Sequence, residues 1–328
     1  MEDKIIINAV GDVWFGDHPV CIGHGVNSVA RKKGPEYLFS ETKGLFEDGD
    51  INFCNLESVL SEFGIKRWLL SSIEMRGFPE CINGILSSKI NMVNVANNHM
   101  LQHGDNAFKE TLNILKYNNV NSIGVDDERG RSRVIFQTVK GIEFASIGFS
   151  LHKEEYYKGD KISYSYRDDG KSLIREIKKL RGSFEGFIIC SIHWGKEYMN
   201  YPSTVQVSLA RELIDSGVNL LLGHHPHVLQ GIEEYNDGLI CYSLGNFIFD
   251  LWPEETKNSI LVKVEVAKGN KINYSTVPIY INDQYQPNIA TDEKKTEIER
   301  MLGLYSQGIS GQDENKSDEL KLIGDKFR

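Results

Sequence analysis

Three of the chain's nine histidines fall within Gly223-His224-His225-Pro226-His227, directly after the apolar run Val218-Asn219-Leu220-Leu221-Leu222. Two imidazoles with one residue between them, on a loop stiffened by proline, can converge on one or two cations. In α/β sheets ligands gather where buried strands release the chain at their carboxyl ends, and this loop follows such a run. A solvated His-rich turn would read the same in isolation, so other strand ends must supply further donors.

They do. Residues 5–10 are a β-rich run ending in Gly11-Asp12, although an aspartate after glycine is also ordinary turn chemistry. The run 51–57 alternates so that Asn55 and Glu57 share a face. Residues 91–96 lead into Asn97-Asn98-His99, and 186–192 into His193-Trp194-Gly195. The pooled donors mix carboxylate, amide oxygen and imidazole, which suits a divalent transition metal (Mn, Zn or Fe) better than Ca²⁺ or Mg²⁺ held by oxygen alone. There are enough of them for one ion or for two sharing a carboxylate, chemistry that lowers the pKa of a water and clamps a phosphoryl oxygen.

The positioning elements follow from periodicity. Asp105 is a plausible N-cap for a helix over 106–117, whose Phe108, Leu112 and Leu115 fall at helical spacing. A strand-like stretch at 122–125 completes a β-α-β unit. A hairpin over 133–149 turns at Lys140-Gly141, and a polar insertion at 152–170 carries four tyrosines that suit a surface loop or a lid. Helices are expected over 171–181 and 204–216, strands at 239–244, 259–266 and 272–279, and a last helix over 292–304. The segment 58–90 is less informative; its Arg76, beside a glycine, is either a surface residue or a contact for an anionic substrate. No composition break divides the chain, so residues 1–285 read as one domain and 286–328 as a C-terminal helix with a polar tail.

Composition bounds the function. With 40% apolar and 25% charged residues, the chain has material for a sizeable core, and a net charge of −9 argues against a nucleic-acid partner. Five scattered cysteines without a Cys-x-x-Cys pair fit reduced thiols, and no apolar run approaches a membrane span or signal segment; a soluble cytoplasmic protein without a membrane anchor is expected.

Gly11-Asp12, Asn55-Leu56-Glu57, Ala96-Asn97-Asn98-His99, His193-Trp194-Gly195-Lys196-Glu197, His225-Pro226-His227-Val228 and Ser243-Leu244-Gly245-Asn246-Phe247 resemble, in order, the motifs of the CapA family of poly-γ-glutamate capsule biosynthesis proteins. That family is similar to calcineurin-like metallophosphoesterases. The resemblance spans about residues 5–250. It implies a four-layer α-β-β-α sandwich with Asp12, Glu57, Asn98, His193, His225 and His227 as metal ligands. It places His99 near the leaving group as a general acid, with Asn55, Arg76 and Glu197 as substrate contacts. Two positions depart from the pattern. Trp14 stands where calcineurin-like enzymes usually have a histidine, and Gln102-His103 where many relatives have an aspartate. His224 falls at a variable position and is left outside the ligand set. The implied activity is metal-dependent phosphoester hydrolysis of a small or polymeric anionic substrate. The alternatives are a capsule or poly-γ-glutamate biosynthesis protein, and a non-catalytic anion-binding module.

Overall fold

The structure, a computed structural model, describes residues 4–66, 68–154 and 163–310. The chain begins in one sheet with β1 (Ile5–Val13), β2 (Ile51–Leu56), β3 (Met92–Asn94) and β4 (Asn121–Ile123). It builds a second sheet from β5 (Ile135–Val139), β6 (Ile142–Ser150), β7 (Phe187–His193), β8 (Leu220–His224), β9 (Ile232–Tyr235) and β10 (Gly238–Cys241). It then returns to the first with β11 (Asn246–Ile248), β12 (Asn258–Ala267), β13 (Lys271–Ile281) and β14 (Pro287–Ile289). The orders are β14-β13-β12-β1-β2-β3-β4, with β11 beside β1, and β5-β6-β7-β8-β10-β9.

Alternation along the strands separates three apolar layers. Ile7, Phe53, Phe187, Ile189, Leu220 and Leu222 face one another between the sheets. Their neighbours on the opposite faces, Cys54 and Val93 in the first sheet and Ile188, Cys190 and Leu221 in the second, lie under helices. Over the first sheet these are α1 (Val26–Lys33), α2 (Ile82–Ser87) and α3 (Asp105–Tyr117). Over the second are α4 (Gly170–Arg181) and α5 (Thr204–Asp215). α4 buries Leu173, Ile174, Ile177 and Leu180 along one stripe, and α5 starts in a capping box between Ser203 and Gln206. The result is the expected four-layer α-β-β-α sandwich.

The central strands are parallel, so their carboxyl ends share one edge, and the registers line up the polar residues there. Asp12, Asn55 and Asn94 are successive partners across β1, β2 and β3. Ser150, His193 and His224 are successive partners across β6, β7 and β8. Beyond Ala9, where β12 stops pairing, β11 takes its place beside β1 with Asp12 opposite Asn246. That approach is close enough to require glycine at residue 11, where a Cβ would collide with the Gly245 oxygen.

Several elements lie outside the sequence expectations. α1, α2, β9, β11 and β14 were not foreseen; β11 and β14 are three residues each, too short to show a period. The strand expected at 239–244 ends at Cys241, because Leu244 bridges back to Leu229. β14 joins the first sheet, and α6 (Asp292–Ser310) sets Ile298 between the sheets and Ile309 against the second. From the tyrosine-bearing insertion, Tyr164 is fully buried, while residues 155–162 and the polar tail at 311–328 lie outside the described residues. Among the described residues no helix is long and apolar enough to cross a membrane. Because the β1–β11 contact leaves no room at residue 11, Gly11→Ala is expected to cost about 3 kcal/mol or more in urea unfolding, whereas Gly44→Ala, in open space, should shift the midpoint little.

Candidate metal centre

Asp12 is the hub of the strand-end cluster. Its Oδ1 accepts Asn55 Nδ2 at 2.9 Å and lies 3.2 Å from His224 Nδ1; its Oδ2 accepts the His225 amide at 3.3 Å and lies 3.5 Å from His227 Nδ1. Burial pushes this carboxyl up, but His224 and His227 outweigh it and hold Asp12 well below the ordinary carboxylate range.

Glu57, also fully buried, is under the opposite balance. Asn55 Nδ2 bonds its Oε2 at 3.2 Å, while Oε1 is buried with no hydrogen-bond partner among the described residues. Burial, the Asp12 charge and Glu197 push Glu57 well above its ordinary range. Around Oε1 stand His227 Nε2 at 3.7 Å and the Nε2 atoms of His99 and His193 at 3.9 Å each. These separations are too long for hydrogen bonds. His227 also turns its Nδ1 to Asn246 Oδ1 at 2.9 Å, an arrangement that leaves Nε2 facing Glu57.

The remaining residues fall into two groups. His193 Nε2 is 2.8 Å from Asn98 Oδ1, and the His225 ring lies between His193 and His152, with centroids 4.7 and 3.9 Å away. Glu57, His225 and His227 can offer three donor atoms to one ion, and Asp12, Glu57 and His193 to another, with Glu57 common to both. The loop that delivers His225 and His227 holds them at φ 97° and 57°, conformations that cost on the order of 1–3 kcal/mol each away from glycine. Beside the cluster opens a cavity of about 590 Å³, whose lining includes the apolar Trp14, Met75, Phe249 and Leu251 and the polar His152, Lys153, Lys196 and Glu197. Trp14 stacks on Phe249 at 4.9 Å and meets His99 edge-on at 5.2 Å, so this departure from the pattern contributes an apolar wall.

Asp12, Glu57, Asn98, His99, His193, His225 and His227 thus come together, and Glu197 lines the mouth. Asn55 does not reach the cavity. It is fully buried and braces both carboxylates and His193 Nδ1, so the structure gives no support for Asn55 as a substrate contact. Arg76 is also elsewhere: its guanidinium is spent on the carbonyls of Ser61, Phe63 and Ser72, which close the loop before it. His224, set aside from the sequence, is fully buried against Asp12. His152 went unnoticed because residue 152 was read as the start of an insertion; the signal was its place two residues beyond β6, another strand end.

Burial sets how the site answers to pH. His99 and His103 are pushed down to about 4, and His193 and His225 lie well below their ordinary value, burial being the largest cause in each. Between about pH 4 and 6.5 the folded protein therefore binds fewer protons at these rings than the unfolded chain, and stability rises with pH. Glu57 and Asp250, raised mainly by burial, and His227, raised against burial by Asp12, pull the other way but are fewer than the four lowered rings. In the presence of chelator, the urea midpoint is expected to be higher at pH 6.5 than at pH 4.5. A flat or inverted profile would contradict the burial of neutral rings.

The chain is similar to known proteins in sequence and in fold. The "Capsule biosynthesis protein CapA" of Bacillus anthracis is 26% identical over 312 residues, covering 92% of this chain and 73% of that protein. The "PGA biosynthesis protein CapA" of Bacillus subtilis (strain 168) is 26% identical over 296 residues, covering 90% and 76%. In fold, the sulfate thiohydrolase SoxB of Thermus thermophilus superposes with a TM-score of 0.50 at 14% identity, over 92% of this chain and 60% of that one. The family described as "Bacterial capsule synthesis protein PGA_cap" matches residues 6–251, a span that runs from β1 through the last residues lining the cavity. The chain belongs to the bacterial capsule synthesis protein (PGA_cap) family.

Proposed function

We propose that the strand-end cluster binds one or two divalent transition-metal ions, Mn, Zn or Fe, and hydrolyses a phosphoester in an anionic substrate. The observation that carries this reading is Glu57 Oε1, a buried carboxylate oxygen without a hydrogen bond among the described residues and ringed by imidazole nitrogens at 3.7–3.9 Å. An uncompensated buried carboxylate is costly, and a cation among these donors offsets it. Asp12, Glu57 and His193 would hold one ion and Glu57, His225 and His227 the other, with Asn98 Oδ1 as a further oxygen donor. Trp14 offers the first group no additional imidazole, so the second reading of a single ion rests on that residue. When bound, the metal supplies Lewis acidity toward a phosphoryl oxygen.

The protein's own groups do the rest. Asn55 keeps both carboxylates aimed into the cluster, and Asn246 keeps the Nε2 of His227 turned inward. His99 lies at the cavity floor, placed to exchange a proton with an oxygen of the substrate. Lys153 and Lys196 line the cavity and suit an anionic substrate, while Glu197 beside them sets a limit to how much negative charge it accepts. The names of the two Bacillus relatives favour a capsule polymer, or a fragment of one, as the anion. Five free, buried thiols are compatible with a reducing cytoplasm.

Two measurements test this. Purified protein should carry Mn, Zn or Fe by elemental analysis and turn over phosphomonoesters or phosphodiesters in a metal-stimulated manner; neither metal nor turnover would sink the proposal. Glu57→Gln removes one of two facing buried carboxylates, so in chelator its melting temperature is expected to exceed that of the wild type. The upward shift that added Mn²⁺ or Zn²⁺ gives the wild type should then disappear.

A further inference from the structure

His99 is tied into a chain of side-chain contacts that the ligand set does not explain. Its Nδ1 lies 3.1 Å from Gln102 Oε1, one turn later in the segment that follows β3. The Gln102 amide is oriented by its other end, where Nε2 sits 3.2 Å from Met75 Sδ. Flipping that amide would set its oxygen against the thioether sulfur, two acceptors facing each other. On the other side of the ring, His99 Nε2 lies 3.4 Å from Asn98 Nδ2, and Asn98 Oδ1 lies 2.8 Å from His193 Nε2.

Only one assignment of protons satisfies every link. An amide oxygen accepts and cannot donate, so the ring nitrogen facing Gln102 carries the hydrogen. Asn98, whose oxygen is taken by His193, offers a donor to His99 Nε2, which must therefore bear a lone pair. The bonds then run in one direction, from His193 through Asn98, His99 and Gln102 to Met75.

We infer that Gln102 is a positioning residue that fixes neutral His99 with its proton on Nδ1 and an acceptor lone pair on Nε2, facing the cluster. The Nε2 lone pair is met only by the long 3.4 Å contact from Asn98 Nδ2, and a ligand that displaces this contact meets His99 as a hydrogen-bond acceptor. The group that docks on it is a donor, the O–H of a water or of a substrate hydroxyl, and not a bare phosphoryl oxygen. This reverses the proton-donating role that the family resemblance implies for His99. The tautomer does not depend on the proposed phosphoester activity; only the identity of the docking group does.

Histidine-selective ¹⁵N labelling of the full chain, with the His99 signals assigned by their loss in His99→Ala, reads the tautomer directly. The wild type at pH 7.5, in chelator, is expected to show Nδ1 protonated and Nε2 bare. Gln102→Glu keeps an acceptor and should preserve that pattern, whereas Gln102→Leu should move the proton wholly or partly to Nε2. A wild-type ring protonated on Nε2, or a Gln102→Leu spectrum unchanged from wild type, would overturn the inference. If Gln102→Leu does not fold, Gln102→Met serves in its place, and the wild-type spectrum alone still decides the tautomer. Absent turnover in the phosphoester panel would defeat the proposed activity and leave this result untouched.

Discussion

Two carboxylates buried side by side, Asp12 and Glu57, impose the constraint that the rest of the structure answers. Like charges so placed cannot both stay ionised without help. Asp12 is served by Asn55, the His225 amide and two imidazoles, whereas Glu57 keeps one oxygen unpaired. Of the rings around Glu57, burial holds His99, His193 and His225 neutral, while His227 is raised above its ordinary value, against its burial, by its contact with Asp12 and not by Glu57. The arrangement makes physical sense as a cradle for positive charge that the protein itself does not provide.

Building that cradle requires both sheets. One polar row, Asp12, Asn55 and Asn94, comes from the first sheet, and another, Ser150, His193 and His224, from the second. Three apolar layers hold the rows at one edge, so the site is rigid by virtue of the core beneath it. The His225–His227 loop is the exception, since its backbone is held in a conformation that L-residues adopt at a cost. Such strain persists only where neighbouring structure over-determines it. Here Gly223, on which no Cβ fits beneath the Tyr242 oxygen, packs the start of that loop tightly.

Much of this was legible in the sequence because the relevant signals are local. An apolar run followed by a metal-competent side chain marks a strand end, and that signal singles out Asp12, His99, His193 and His225. Alternation places Asn55 and Glu57 on one face, but alternation cannot say whether a residue reaches a cavity or supports one that does, and Asn55 braces the two carboxylates. Arg76 failed for the same reason: its partners are carbonyls of its own loop, set by tertiary closure. The fold class followed from the family motifs, while β11, with three residues and no period of its own, could be seen only in the assembled sheet.

The pairing of β1 with β11 also governs the order in which the molecule can be made. Asp12 is translated before the second sheet, yet its backbone neighbour, Asn246, follows the whole of that sheet. A nascent chain can pair β1 with β2 and β3 early, since those contacts are near in sequence, but it cannot finish the edge where the donors meet. Until β11 is made, Asp12 and Glu57 lack the neighbours that close this edge. β11 supplies them, and β12, which follows it, pairs with β1 and adds Ile260, Val262 and Val264 to the layer between the sheets, so dehydration of the carboxylates belongs to the late part of assembly.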